Sequence, residues 1–406
     1  MILRNRRQTS SVPAAAAAVM AMLVIFSFVR PAPCAEMIKV PGERIPLFSD
    51  DLKYADLVSA LGQSMAYYER LPGGRKFDLG RDSYSARELA AGLRRFKELV
   101  EKKPSADQLN AFLRENARIY QFAQQNISVR VLLTGYYEPV LDGSRKKTDK
   151  FKYPIYSRPE DLVKVDLSEF GIKCSEKYII GRYTGQGVVP YYDRRTIETE
   201  NVLESRAEPI AWTDDPINLF FLHVQGSGMI KMRNGDILRV HYSITNGQPY
   251  RSIGKYLIDQ GKISRQEMSM QAIARYIRQN PSEMEDVFFY NPRYVFFEVS
   301  NHGPTGTTGA KLTPGRSVAL DQRVAPPGAL LFVSGKKPVC DDSGDIKRWE
   351  PFSRFMCSQD SGTAIRGEKR ADIFWGAGDY AETAAGHMKH PGYVYFIVVE
   401  PDPEPF

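Results

Sequence analysis

Hydrophobic positions recur at helical spacing in the first part of the chain. Leu57, Leu61, Met65 and Tyr68 fall on one face of a helix predicted over residues 54–70. Ser85 with Glu88 makes a capping-box pattern ahead of Leu89, Leu93, Phe96 and Val100, and Pro104 closes that run. Ser105 with Gln108 opens a third helix through Leu109, Phe112 and Leu113. Three amphipathic helices in succession predict a helical layer laid over something else.

After Asn126 the pattern changes period. Residues 128–141, SVRVLLTGYYEPVL, mix β-branched and aromatic residues as a strand does, and a polar turn follows over 142–150. Short apolar runs then alternate with Gly, Pro and Asp at 153–156, 178–183, 219–232 and 237–244, with Asn234-Gly235 as a hairpin signal. The stretch reads as an all-β unit of roughly 100 residues. Helices are expected again at 252–260, from the Ser264/Glu267 box through Ile273 and Ile277 to Pro281, and from Ser282/Glu285 to Asn291-Pro292. Strands are expected at 294–299, 317–321, 329–333, 371–375 and 392–399. A β unit framed on both sides by helix-and-strand sequence predicts an inserted domain, and the cleft between host and insert is a natural substrate site.

The N-terminus adds a destination. Arg4, Arg6 and Arg7 precede an uncharged, mostly apolar run at 12–29 and the small residues around Cys34. This is the pattern of an export signal, with an uncleaved membrane anchor as the alternative. Cys34 stands where a lipoprotein cysteine would, although Pro31-Ala32-Pro33 is a poor approach to it. The remaining chain has ordinary globular composition, 43% hydrophobic and 25% charged. A net charge of +7 suits an anionic polymer or a membrane surface, but Arg145-Lys146-Lys147 is the densest basic block, which argues against a nucleic-acid partner. Cys340 and Cys357 flank a loop-like stretch and could pair in an oxidising compartment, with Cys174 left over. His387 and His390 have metal-like spacing, yet Pro391 follows and no third ligand is near, so neither a metal nor a cofactor is expected.

The residues richest in chemistry are 360–379, DSGTAIRGEKRADIFWGAGD. Asp372 sits among Ala371, Ile373, Phe374 and Trp375, where burial would raise its pKa as a general acid requires. Gly376 and Gly378 would let a ligand approach the backbone. On physics alone, a strand-end carboxylate in a turn network is the favoured reading of Asp372. Asp321 leads into the apolar run 329–333 and reads first as a turn cap. Thr134-Gly-Tyr136-Tyr137-Glu138-Pro139 and Val224-Gln225-Gly226-Ser227-Gly228 offer hydroxyls, amides, aromatic faces and bare backbone suited to sugar rings, or else ordinary strand and loop.

Together these segments resemble the membrane-bound lytic murein transglycosylase A family. The match is carried by LTGYYEP (133–139), HVQGSG (223–228), YVFFEVS (294–300), LDQRVAPPGALLFV (320–333) and the run from Asp360, in that order. The resemblance implies a mainly β fold with helices: a double-psi β-barrel catalytic domain from residues 36–140 and 247–406, with a second β-barrel inserted at 141–246. It implies Asp372 as the single catalytic acid/base, Asp360 and Asp321 as supporting aspartates, and Thr134, Tyr136, Gln225, Gly226 and Ser227 as the glycan-binding residues. It further implies cleavage of peptidoglycan glycan strands to 1,6-anhydro ends, without cofactor. The setting implied is the periplasm, at the outer membrane of a Gram-negative bacterium, with murein synthases and other cell-wall enzymes as company. The chain departs from the family pattern at Ser361 and Thr363 and in the stretch between Cys340 and Cys357. Competing readings are a two-carboxylate glycoside hydrolase using Glu138, and a non-catalytic glycan-binding scaffold. A third is an aspartic protease built on Asp342-Ser-Gly and Asp360-Ser-Gly.

Overall fold

The computed structural model describes residues 35–171, 178–362 and 364–402. The expected export segment with Cys34, and Cys174, lie outside the described residues. Among the described residues no helix is long and apolar enough to cross a membrane.

Six strands close into a barrel: β1 (Val131–Glu138), β2 (Ser317–Ala319), β3 (Leu330–Cys340), β4 (Ile346–Asp360), β5 (Arg370–Ala377) and β6 (Lys389–Val399). Their order is β6-β3-β4-β2-β5-β1, and β1 pairs back to β6. The β5–β1 and β4–β2 pairs are parallel and the others antiparallel. The strand Ala117–Gln124 adds to β6, and Glu36–Lys39 adds to that. The architecture is the double-psi barrel implied above. Alternation decides what faces inward: Leu133, Tyr137, Ala371, Ile373 and Trp375 join the core, which turns Thr134, Tyr136, Arg370, Asp372 and Phe374 to the outer wall.

The helical layer is present as α1 (Leu57–Glu69), α2 (Ala86–Glu101) and α3 (Ala106–Asn116). Both expected capping boxes form, Ser85 with Glu88 and Ser105 with Gln108. Leu93, Phe96 and Val100 of α2 are buried against the barrel core, each contributing about 1.5–3 kcal/mol.

A second sheet of six strands runs Val295–Ser300, Ile237–Thr245, Ser227–Met232, Val140–Ser144, Pro209–Thr213 and Tyr153–Tyr156 in pairing order. A Ser157–Phe297 bridge joins its two ends. Its last strand, Val295–Ser300, pairs with Ile237–Thr245, so this sheet continues past the residue 246 at which the insert was expected to end.

The run 219–232, expected as β, divides into a helix, Pro216–Gln225, and a strand. Asp215 accepts hydrogen bonds from the amides of Ile217 (2.8 Å) and Asn218 (3.3 Å), Pro216 fits the first turn, and Gly226 at φ 81° ends the helix. Leu219 and Leu222 plug the second barrel, while Ile217, Phe220 and Phe221 pack on helices Ile253–Asp259, Met270–Gln279 and Met284–Phe289. Being apolar on two faces, the helix shows no one-sided periodicity.

Smaller corrections have local causes. Ser264 and Glu267 do bond, but the helix begins at Met270, capped by Ser269. Ser282 caps nothing: it lies in a 3-10 turn, Pro281–Glu283. The stretch between Cys340 and Cys357 is the far end of a long β3–β4 hairpin rather than a loop. Cys340 opposes Ile346 near the tip and Cys357 opposes Leu330 at the base, so both thiols are free.

Candidate active site

Four neighbouring strands set the site. Ala319 of β2 is paired with Asp372 of β5 on one side and with Asp360 of β4 on the other, and Asp372 is paired with Thr134 of β1. The two aspartates are therefore two strand spacings apart, about 10 Å between backbones, with side chains that can converge. The register shifts between Val318 and Ala319, opposite Gln359, leaving Gln359 as a bulged residue. Its fully buried amide bonds Ser317 Oγ, Ala60 O and Ser64 Oγ. Gln359 points at α1, the side Cys357 also faces, and Asp360 stands in register with Ala319.

Asp372 is 9% exposed although it stands on the outer wall. Arg370, two residues earlier on the same face, forks onto it: Nε donates to Oδ1 at 2.9 Å and Nη2 to Oδ2 at 3.1 Å. Nε also lies 3.2 Å from Thr134 Oγ1. Burial raises the Asp372 pKa, Arg370 draws it down, and burial prevails.

Asp360 is held differently. Its Oδ1 accepts the amides of Ser361 (2.8 Å) and Thr307 (3.0 Å), and its Oδ2 accepts the Tyr136 hydroxyl at 3.0 Å. Burial pushes it up to about 6 against these three donors, and the charge of Asp372 adds to the rise. The Tyr136 ring lies 5.2 Å from Phe374. Burial, reinforced by Asp360, keeps its phenol protonated.

Asp321 stands apart, past the end of β2. Arg323 forks onto it, and it accepts the Gly367 amide at 2.7 Å, which ties down the loop leading into β5. Arg323 first, then the amides of Gly367 and Arg323, lower it to about 2 despite burial, so it stays ionised.

Gln225 accepts the Tyr137 amide at 3.1 Å and braces the Pro216–Gln225 helix against β1. Gly226 caps that helix and Ser227 opens the next strand opposite His241. The structure thus brings Thr134, Tyr136, Asp360 and Asp372 into one patch and sets Gln225 to Ser227 beside the far end of β1. Sequence reasoning missed Arg370, Thr307 and Tyr250. Tyr250, half-buried on the loop before Ile253–Asp259, is within electrostatic reach of both Arg370 and Asp372. The Arg-Ala-Asp alternation was signal enough for Arg370; the other two come from distant segments.

The competing carboxylates are elsewhere. Glu138 lies at the end of β1 opposite Ala377, about 13 Å along the strand from Thr134. It is buried, and burial raises its pKa. Asp342-Ser-Gly forms the exposed tip of the β3–β4 hairpin and Asp360-Ser-Gly its base, so they cannot form a protease dyad. His387 ends the helix Asp379–His387 with Nδ1 at 3.0 Å from Thr383 O, and His390 stacks on Trp349 at 4.0 Å.

Known proteins share this organisation. The family model for the MltA specific insert domain matches residues 132–298, and that for the 3D domain matches 316–398. The membrane-bound lytic murein transglycosylase A of Escherichia coli K12 is 30% identical over 276 residues, which span 67% of this chain and 66% of that protein, just under two thirds of its length. The crystal structure of MltA from Neisseria gonorrhoeae in its monoclinic form is 30% identical, covers 93% of this chain and 98% of its own, and superposes with TM-score 0.69. The crystal structure of E. coli MltA with bound chitohexaose shares the fold at 24% identity and TM-score 0.68, covering 91% and 96%.

Proposed function

The chain belongs to the membrane-bound lytic murein transglycosylase A family, and on that premise we propose that it cleaves the glycan strands of peptidoglycan, with Asp372 as acid and then base. The bond is the β-1,4 link from N-acetylmuramic acid to N-acetylglucosamine. Protonated Asp372 gives its proton to the glycosidic oxygen as the C1–O bond breaks, and an oxocarbenium-like centre develops. The resulting carboxylate takes the proton of the muramoyl C6 hydroxyl, whose oxygen bonds to C1 and leaves a 1,6-anhydro end. No water is consumed, so a dry cleft favours the reaction.

The observation that carries this reading is the buried Asp372 on the outer wall of the barrel, without a second free carboxylate beside it. Asp360 is nearest, but three donors hold it. It serves better to orient Tyr136 and to favour the proton on Asp372. Asp321 keeps the loop before β5 in place. Thr134 and Tyr136 on β1, with the backbone around Gly226 and Ser227, form the wall a glycan would follow. The basic and apolar N-terminus, and the membrane-bound relatives, support export to the periplasm and attachment at the outer membrane. Murein synthases and other wall enzymes are the partners this setting offers.

Digestion of purified sacculi with residues 36–406 tests the reaction. Mass spectrometry should find muropeptides one water lighter than reducing forms, and none with Asp372→Ala. Reducing ends would mean a hydrolase, and a fully active Asp372→Ala protein would end the assignment.

A further inference from the structure

The Arg370 fork opposes the proton that Asp372 must carry as an acid. Both of its oxygens accept from the Arg370 guanidinium, a geometry that favours the carboxylate. A general acid must instead carry a proton and bring it within hydrogen-bond reach of the leaving oxygen. Arg370 is also the outer partner: its side chain is 34% exposed against 13% for that of Asp372.

The rest of Arg370 is lightly held. Nη1 reaches Ala364 O at 3.4 Å, at the long limit of a hydrogen bond, and Nε shares its proton with Thr134 Oγ1 at 3.2 Å. A turn toward the Ala364 carbonyl would keep a partner while freeing Asp372. The other groups facing Asp372 are the Asp360 carboxyl from β4, the Tyr136 phenol from β1 and the Tyr250 phenol from the loop before Ile253–Asp259. Lys389, beside Thr134 on β6, is turned away onto the carbonyls of Arg265, Gln266 and Met268. With Arg370 gone, Asp372 would face a carboxyl and two neutral phenols in a desolvated site. It would then take a proton from water.

We propose that Arg370 is a positioning residue that locks Asp372 as the carboxylate while the cleft is empty and leaves it when a glycan strand enters, so that the acid gains its proton in the substrate complex. The proposal rests on the function given above, and its test is independent of turnover. The carboxyl carbon of Asp372, assigned by comparison with Asp372→Asn, is titrated by NMR in the wild type, Arg370→Met and Arg370→Lys, without and with saturating chitohexaose.

In the sugar-free proteins the midpoint should lie higher in Arg370→Met than in the wild type. Arg370→Lys, which keeps the charge but cannot fork, should fall between and serves alone if the methionine variant does not fold. Chitohexaose should raise the wild-type midpoint and change that of Arg370→Met little. Equal midpoints in the sugar-free proteins would overturn the lock. A wild-type midpoint unmoved by bound chitohexaose, or failure of the sugar to bind, would overturn the release. Loss of the anhydro products in the digestion experiment would remove the function and leave the lock to stand or fall on the titration.

Discussion

The pair Asp50–Arg316 is a fully buried ion pair outside the site, and replacing Asp50 by Asn should cost about 3–5 kcal/mol of stability. Both side chains are 0% exposed. Arg316 donates Nη1 to Asp50 Oδ2 at 2.6 Å and Nη2 to Oδ1 at 2.9 Å; Nε and Nη1 also reach Ala55 O and Phe355 O. Asp50 further accepts the amides of Leu52, Tyr54 and Phe355. Asparagine removes the charge and turns an NH2 group toward these donors, leaving a guanidinium without its counter-charge. Arg316 directly precedes β2, whose Ala319 spaces Asp360 from Asp372, so the damage reaches the site's frame. Burial raises the Asp50 pKa, but Arg316 and the Phe355 and Tyr54 amides outweigh it and the net shift is downward. A depressed carboxylate contributes its stability fully above the unfolded value, near ~3.9, and loses it as pH falls through the lower folded value. Urea unfolding at pH 7, or unfolding rates if the transition is irreversible, measures the loss. The double variant Asp50→Leu/Arg316→Met should recover much of it, because neither charge is then left alone. A loss below about 1 kcal/mol for Asp50→Asn would refute the reasoning.

Asp360 should act in the opposite sense. Its folded pKa of about 6 is raised above the unfolded one, so wild-type stability should fall as pH rises from about 4 to about 6, by on the order of 3 kcal/mol. Urea midpoints at pH 4.5 and 7 should show this fall in the wild type and little of it in Asp360→Asn; identical pH dependence would contradict the burial argument. Gly135→Ala should destabilise by about 1–3 kcal/mol, because its Cβ would come within 2.7 Å of the Trp375 ring and 3.0 Å of Ala385 Cα. An unchanged melting temperature would show that Trp375 can move aside.

The capped, one-sided helices were readable because their signals are local. Ser85 with Glu88 and Ser105 with Gln108 declare their helix starts within four residues, and both boxes form. The helix Pro216–Gln225 was lost because its residues are apolar on two faces, one plugging the second barrel and one packing on helices. Asp215-Pro216 was the available signal, outweighed by the β pattern around it. The strand Ala117–Gln124, between α3 and the first predicted strand, and the helix Asp379–His387 were not foreseen. Ala117–Gln124 owes its conformation to pairing with Lys389–Val399 and Glu36–Lys39, partners far off in the chain.

The site divides along the same line. The apolar setting of Asp372 is written in its immediate neighbours, and strand alternation alone puts Arg370 on the same face. What cannot be read locally is that Asp360 belongs to the patch. That requires β2 to lie between β4 and β5, and one bulged residue, Gln359, to bring Asp360 into register with Ala319. Without the bulge, Gln359 rather than Asp360 would stand opposite Ala319, and Tyr136 would lose its acceptor. The buried Gln359 amide, bonded to Ser317, Ala60 and Ser64, ties that bulge to the start of β2 and to helix α1. The environment of the acid is therefore set by a core glutamine that no reading of polar residues near Asp372 would select. Helix α1 of the helical layer therefore takes part in holding it.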